Sequence, residues 1–157
     1  MLVTSRVRKA DAGDADDILA MCNEMHRENG MFTMSDKRVH DLISRAMNRQ
    51  GGVIGVIGEP GKLEASIYLL ITNIWYSEDY HLEELWNFVR PQYRKLSDNV
   101  EQLVNFATRC GDEINLPVLI GIMSNIRTEA KVRKYRRLLG DPIGAFFLRQ
   151  PKKKQAA

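Results

Sequence analysis

The chain has 157 residues, 44% of them apolar and 27% charged. That suffices for one domain with a real core in an ordinary water-soluble balance, and it excludes a disordered or fibrous chain. The formal net charge of +3 hides an asymmetry: from Arg127 onward there are ten Lys or Arg and two acids, whereas the first 126 residues carry a net −5. A basic C-terminal part on an acidic body points to a local anionic partner rather than to a wholly basic nucleic-acid binder. Met1 to Arg8 contains no apolar run long enough for a signal peptide, and stretches such as Val118 to Met123 are too short to span a membrane. Cys22 and Cys110 both fall on apolar faces of expected helices and read as small buried hydrophobes in a reducing compartment. The expected location is cytoplasmic, in a cell or in something that replicates inside one.

Arg6 to Ala10 reads as a first strand with Val3 and Val7 as apolar anchors. Asp11 is a good N-cap and Asp14 stands as a first-turn acid for helix one, which runs to about Asn29. Ile18, Met21, Cys22 and Met25 give that helix a narrow apolar stripe, and Gly30 ends it. Ser35 or Asp36 opens helix two, where Val39, Leu42, Ile43, Ala46 and Met47 keep the helical period up to Gly51-Gly52. Gly52 to Gly58 is a short strand, Glu59-Pro60-Gly61 a tight turn, and Leu63 to Thr72 a long strand with one mostly apolar face.

His81 to Val89 is the central strand. The chain turns at Arg90-Pro91, passes a polar loop, and enters helix three, which puts Val100, Leu103, Val104 and Ala107 on one face. A strand that feeds a loop into a helix N-terminus makes an anion site from unpaired amides and the helix dipole. Leu116 to Met123 is nearly all apolar, as a strand buried on both faces in a parallel pair would be. Helix four follows over Arg127 to Leu139 with Val132, Tyr135 and Leu139 inward, and Ile143 to Leu148 is a last strand. Residues 1–149 thus form one domain and residues 150–157 a basic tail.

This order resembles the GNAT superfamily of acetyl-CoA-dependent N-acetyltransferases over nearly the whole chain. Val7-Arg8-Lys9-Ala10 followed by Asp14 looks like that family's opening, and Val89-Arg90-Pro91-Gln92-Tyr93-Arg94 like its strand end before the pyrophosphate loop. Asn125 after the apolar strand, then Tyr135 and Gly140, look like its last signature. More narrowly, the chain is similar to GNAT-like proteins encoded by bacteriophages, some of them virion components.

The family loop has the form Arg/Gln-x-x-Gly-x-Gly/Ala. Its six positions here are Arg94, Lys95, Leu96, Ser97, Asp98 and Asn99, so Ser97 and Asn99 replace the small residues and Asp98 adds a negative charge. Ser97 is the expected N-cap, and Asn99 tolerates a positive φ. Tyr135 stands five residues before Gly140 where the family has four, a rotation of about 100° on a helix.

The resemblance implies an α/β (α+β) GNAT-like fold, a mixed central sheet splayed near Val89 and flanked by four helices, with helices three and four beside the cofactor groove. It implies acetyl-CoA as cofactor, through a loop that lacks its glycines, and an N-acetyltransferase of unknown amine acceptor. Val89, Arg94, Lys95, Ser97 and Asn99 would contact that cofactor. Amine acetylation needs a base for the amine and a proton for the departing thiolate. Glu83 or Glu84 would be the base, at most one of them facing the cleft because neighbours on a strand point to opposite sides. Tyr135 would protonate the thiolate, and Asn125 would orient substrate or cofactor, or else cap helix four.

Two other functions stand beside this one. The first is a non-catalytic GNAT-fold component of a larger protein assembly, such as a phage virion, which would move the location to the virion. The second is a nucleic-acid-associated accessory protein. It rests on Arg127, Lys131, Arg133, Lys134, Arg136 and Arg137 of helix four with Arg149, Lys152, Lys153 and Lys154, an anion-docking surface without interleaved aromatics. His26, His40 and His81 share no ligand spacing, so no metal is expected.

Overall fold

The computed structural model describes residues 5–95 and 97–152. Val3, Leu96, Lys153 and Lys154 of the sequence reading lie outside the described residues. The elements run β1 (Arg8–Lys9), α1 (Ala15–Asn29), α2 (Asp36–Met47), β2 (Gly52–Glu59), β3 (Lys62–Asn73), β4 (Tyr80–Val89), α3 (Asn99–Ile114), β5 (Val118–Leu119) and α4 (Thr128–Leu139). The strands form one sheet in sequence order, antiparallel from β1 to β4 and parallel between β4 and β5.

A capping box fixes the 3-10 turn Ala12–Asp14 that leads into α1. Asp11 accepts from the Gly13 amide, and Asp14 accepts from the Asp11 amide at 2.9 Å. Asp14 is fully buried and takes a bidentate grip from Arg8 at 2.7 and 2.8 Å, which holds its carboxyl below the usual range. Ser35 caps α2 by accepting from the Arg38 amide.

Two cores sandwich the sheet. Ile18, Met21 and Cys22 of α1 and Ile43 of α2 cover Ile54, Tyr68, Trp86 and Phe88 on one face. Leu103, Phe106 and Ala107 of α3 cover Ile57, Ile67, Leu69, Leu82 and Val89 on the other. Both faces of mid-β3 are therefore buried, which corrects the expectation of one apolar face. Ser66 and Tyr68 are both 0% exposed, and they hold their polar ends satisfied: Trp86 Nε1 donates to Ser66 Oγ at 3.0 Å and Tyr68 Oη to the Leu42 carbonyl at 2.9 Å. Trp86 and Phe88 are buried, while Trp75 is exposed at the tip of the β3–β4 hairpin.

Two expected strands do not form as read. From Leu116 to Met123 only Val118 and Leu119 are strand, and Ile143 to Leu148 has no regular structure. A strand needs a neighbour for its backbone groups, and within the single chain these segments lack one over most of their length. Helix α4 has no fully buried residue, and Leu139, expected inward, is about half exposed.

Candidate functional site

The site begins with a β-bulge. Tyr68 pairs with Trp86, but the next residue of β3, Leu69, pairs with Glu84, leaving Leu85 as an extra residue on β4. A bulge bends a strand and sharpens its twist. β4 accordingly leaves β5: their pairing consists of Leu82 with Val118 and Glu83 with Leu119. The splay opens directly after Glu83, several residues earlier than the expected position near Val89. From there to Val89 the edge of β4 facing β5 is open. Val89's carbonyl lies on that edge, where it accepts from Arg94 Nε at 2.7 Å, and a strand residue sends its N–H and C=O the same way. Val89's amide therefore faces the splay, and Asn87's does too, two residues back.

The bulge also sorts the side chains. Cross-strand partners share a face, so Glu84 opposite Leu69 and Asn87 opposite Ile67 both lie on the α3 side. Glu83 pairs with Leu70, which packs on the α1–α2 core, and so lies on the far face, where its Oε2 is 3.4 Å from His81 Nε2. Of the two candidate bases, the structure puts Glu84 alone in the splay.

Glu84 Oε2 is sealed from solvent and has no hydrogen-bond partner, and neither has Asn87 Nδ2. Burial pushes the Glu84 carboxyl up to about 8. Tyr135 reaches the same place from α4. Burial raises its phenol first and the Glu84 charge second, while the neighbouring Asn87 amide works the other way. Glu84, Asn87 and Tyr135 thus form one cluster at the open strand edge. Tyr135 lies on the groove side despite standing five residues before Gly140. Asn87 is absent from the sequence-derived candidates.

Asn125 is elsewhere. Its amide and side chain bond to Asn29 Oδ1 and the Gly30 carbonyl, tying the chain after β5 to the end of α1. It does not cap α4, whose N-cap is Arg127 in the left-handed region at φ 55.

The loop before α3 is consolidated by its own side chains. Asp98, not Ser97, is the N-cap residue, and it makes no side-chain cap bond. Its carboxylate turns instead to Gln102 Nε2 at 2.9 Å and Arg6 at 2.6 Å, which hold it below the usual range. The charge expected to repel a phosphate is thus neutralised in place. Asn99 has no positive φ. It is the first residue of α3, 1% exposed, accepting from Arg6 at 2.6 Å and donating to Glu64 and the Tyr93 carbonyl. The amides of the first turn keep the orphan status that every helix start has.

Arg94 lies over the Phe88 ring, 5.2 Å from its centroid, and pairs with Glu28 at 2.9 Å. Lys95 is exposed beside it and Ser97 is half-buried. Across the groove Lys131 of α4 donates to Ser124 Oγ at 2.6 Å. Burial lowers its pKa, Glu28 opposes that, and the nearby positive Arg94 adds to it. Arg94, Lys95 and Lys131 make a basic rim, and Lys131 as a rim residue was not separable in the sequence from five other basic positions on one helix. Of those, Lys134 reaches Glu101 at 3.8 Å and Arg136 reaches Asp141 at 3.1 Å, so part of the expected anion-docking surface is engaged within the chain. Arg90, at the base of the loop, grips Asp17, Glu24 and the Leu63 carbonyl and is structural. Among the described residues no three His, Cys, Asp or Glu gather as a metal would need, and no helix is long and apolar enough to cross a membrane.

No protein-family model matches the sequence, and no curated protein does. Solved structures match across nearly the whole chain. A possible acetyltransferase from Clostridium difficile superposes with a TM-score of 0.70 at 15% identity, covering 94% of this chain and 97% of that one. A predicted acetyltransferase from Clostridium acetobutylicum, solved with acetyl-CoA, gives 0.69 at 14% identity over 91% and 94%. AAC(6')-Iy in complex with a bisubstrate analogue, CoA-S-monomethyl-acetylneamine, gives 0.67 at 12% over 94% and 97%. At such identities the likeness is one of fold, and the fold is that of the GNAT acetyltransferases.

Proposed function

We propose that the chain is an acetyl-CoA-dependent N-acetyltransferase working in the splay between β4 and β5. The observation that carries the reading is the meeting of Glu84, Asn87 and Tyr135 at an open strand edge. The residues present fit the donor. The free amides of Asn87 and Val89 suit the amide-bearing pantetheine arm, which pairs with a strand edge as an added strand does. The orphaned Asn87 Nδ2 is a donor awaiting an acceptor. The start of α3 with Arg94, Lys95 and Lys131 suits the pyrophosphate, with Ser97 beside them. Asn99 contributes through its backbone, since its side chain is committed to Arg6, Glu64 and Tyr93.

Acetyl-CoA supplies an activated acetyl group and a thiolate leaving group that needs a proton. Glu84 takes the proton of the incoming amine, directly or through one water. A carboxyl near 8 is matched to that task, because a base works best with its pKa near the working pH. Tyr135, kept neutral by burial, presents an O–H toward the leaving group over the whole useful pH range. The test is release of free thiol from acetyl-CoA with a panel of primary amines. Wild type is expected to turn over at least one amine and Glu84→Gln to lose that turnover with acetyl-CoA affinity kept. Equal turnover by both refutes the assignment of Glu84.

A second reading has its own observation. The loop is filled by the buried side chain of Asn99 and the Asp98–Arg6 pair, as a loop that no longer receives phosphate would be. On that reading the chain is a non-catalytic GNAT-fold component of a larger assembly, a phage virion among them, and acetyl-CoA does not bind.

A further inference from the structure

We propose that Glu28 of α1 latches Arg94 across the open edge of β4, so that acetyl-CoA binds only by drawing Arg94 off the Val89 carbonyl and onto its own pyrophosphate. The latch presupposes the donor site proposed above and adds a switch to it.

Arg94 follows β4 and folds back over its end. Its Nε donates to the Val89 carbonyl at 2.7 Å, its guanidinium lies 5.2 Å from the centre of the Phe88 ring, and its Nη2 donates to Glu28 Oε2 at 2.9 Å. A backbone, an aromatic face and a carboxylate thus hold one side chain where the strand is open. An arm that adds to a strand edge uses both the N–H and the C=O of the residue it meets. At Val89 the N–H faces the splay, but the C=O is taken by Arg94. The arm and Arg94 in this position therefore exclude one another at Val89.

Arg94 is the movable end of the latch, a loop residue whose side chain is 40% exposed, whereas the Glu28 side chain is 18% exposed and belongs to the last turn of α1. That turn is tied down across the groove. Asn29 Oδ1 accepts from Ser124 Oγ at 3.0 Å and from the Asn125 amide at 3.3 Å, and Asn125 Nδ2 donates to the Gly30 carbonyl. Lys131 donates to the same Ser124 Oγ. Glu28 thereby stands among the cations of the basic rim. It is paired with Arg94, and it works on the Lys131 amine against the lowering that burial imposes. A pyrophosphate competes with this carboxylate for Arg94. It brings more charge and more acceptor oxygens, so the exchange runs toward the bound cofactor, and Glu28 sets how readily it does so.

Calorimetric titration of the full chain with acetyl-CoA and with inorganic pyrophosphate tests this, on wild type, Glu28→Gln and Arg94→Ala. Neither residue packs in either core, so both variants should keep the wild-type far-UV spectrum. Glu28→Gln should bind acetyl-CoA and pyrophosphate about two- to fivefold more tightly than wild type, the range a partly exposed ion pair controls. Arg94→Ala should lose pyrophosphate affinity yet gain affinity for S-acetylpantetheine, which has the arm without the nucleotide phosphates. Amide shifts of Asn87 and Val89 in NMR follow that last titration. Equal or weaker acetyl-CoA binding by Glu28→Gln overturns the latch and leaves the donor site standing. No gain in S-acetylpantetheine affinity by Arg94→Ala overturns the exchange at Val89. Absence of acetyl-CoA binding in wild type and both variants overturns the latch together with the donor site.

Discussion

Glu84 on β4 and Tyr135 on α4 are neighbours along the stretch of β4, from Glu84 to Val89, that has no strand beside it on the β5 side. Neither group is comfortable there: the carboxyl has an oxygen with no partner, and the phenol is half-buried beside it. Strained electrostatics of this kind gather where chemistry is done.

The pH dependence of turnover follows from Glu84. On the proposed mechanism Glu84 must be ionised to act as the base, and burial pushes its carboxyl up to about 8. kcat/KM should rise about tenfold per pH unit below that value and level off above it. Glu84→Gln should abolish this limb and lower kcat by about 10²–10⁴. The pH profile of thiol release checks both.

Stability should move the opposite way. The Glu84 carboxyl has its pKa raised from 4.5 to about 8 in the folded chain. Between those values the folded state holds more protons than the unfolded state, so stability is full below 4.5 and is lost as pH rises through about 8. Glu84→Gln should therefore melt close to wild type at low pH and several degrees higher at high pH. Thermal melts at pH 5 and pH 9 check this, and an equal shift at both would place the effect elsewhere.

The Arg8–Asp14 pair has one buried end: Asp14 is shut off from water while the Arg8 side chain is 36% exposed. Arg8→Met leaves the fully buried Asp14 carboxylate without its counter-charge. The expected loss is about 3–5 kcal/mol in urea denaturation, while Arg8→Met combined with Asp14→Leu should recover a good part of it. Asp14's lowered pKa means that the pair's contribution is present above the unfolded value and is lost as pH falls.

Gly111 sets how closely α3 approaches β5. A Cβ there would lie 2.5 Å from Val118 Cγ2 and 2.8 Å from the Leu116 carbonyl oxygen. The side chain can turn but the backbone cannot, so Gly111→Ala should push β5 outward. A cost of about 1–3 kcal/mol is expected, together with weaker acetyl-CoA binding because the splay is displaced. Chemical denaturation and calorimetry on one variant measure both effects.

The helices were legible in the sequence because their signals are local. Ser35 caps its helix as expected, Asp11 caps the 3-10 turn that leads into α1 with Asp14 as that turn's acid, and Ile18, Met21, Cys22 and Ile43 are buried as the helical period implies. Strand existence after Leu116 was not legible, because a strand is made by its neighbour and the pattern of Leu116 to Met123 says only that a neighbour is wanted. The site was half legible. That Glu83 and Glu84 face apart follows from strand alternation alone. Asn87 was invisible for the same reason: three residues from Glu84, it should face the other way, and only the extra residue Leu85 brings the two to one side. Nothing in HLEELWNFV announces that bulge. The sequence offers Asn99 as a cofactor contact and Asp98 as an unwelcome negative charge, and it gives no sign that both are engaged by Arg6, a residue 93 and 92 positions away.

The measurement that tests the account most directly is calorimetric titration of acetyl-CoA into the wild-type chain, with Asp98→Gly alongside. Micromolar binding by wild type is expected, because Asp98 is already paired with Arg6 and the first-turn amides of α3 have no partner within the helix. Asp98→Gly is expected to gain little, the charge it removes being compensated already. No binding by wild type would contradict the account, and binding that appears only in Asp98→Gly would mean a cofactor site closed by its own loop.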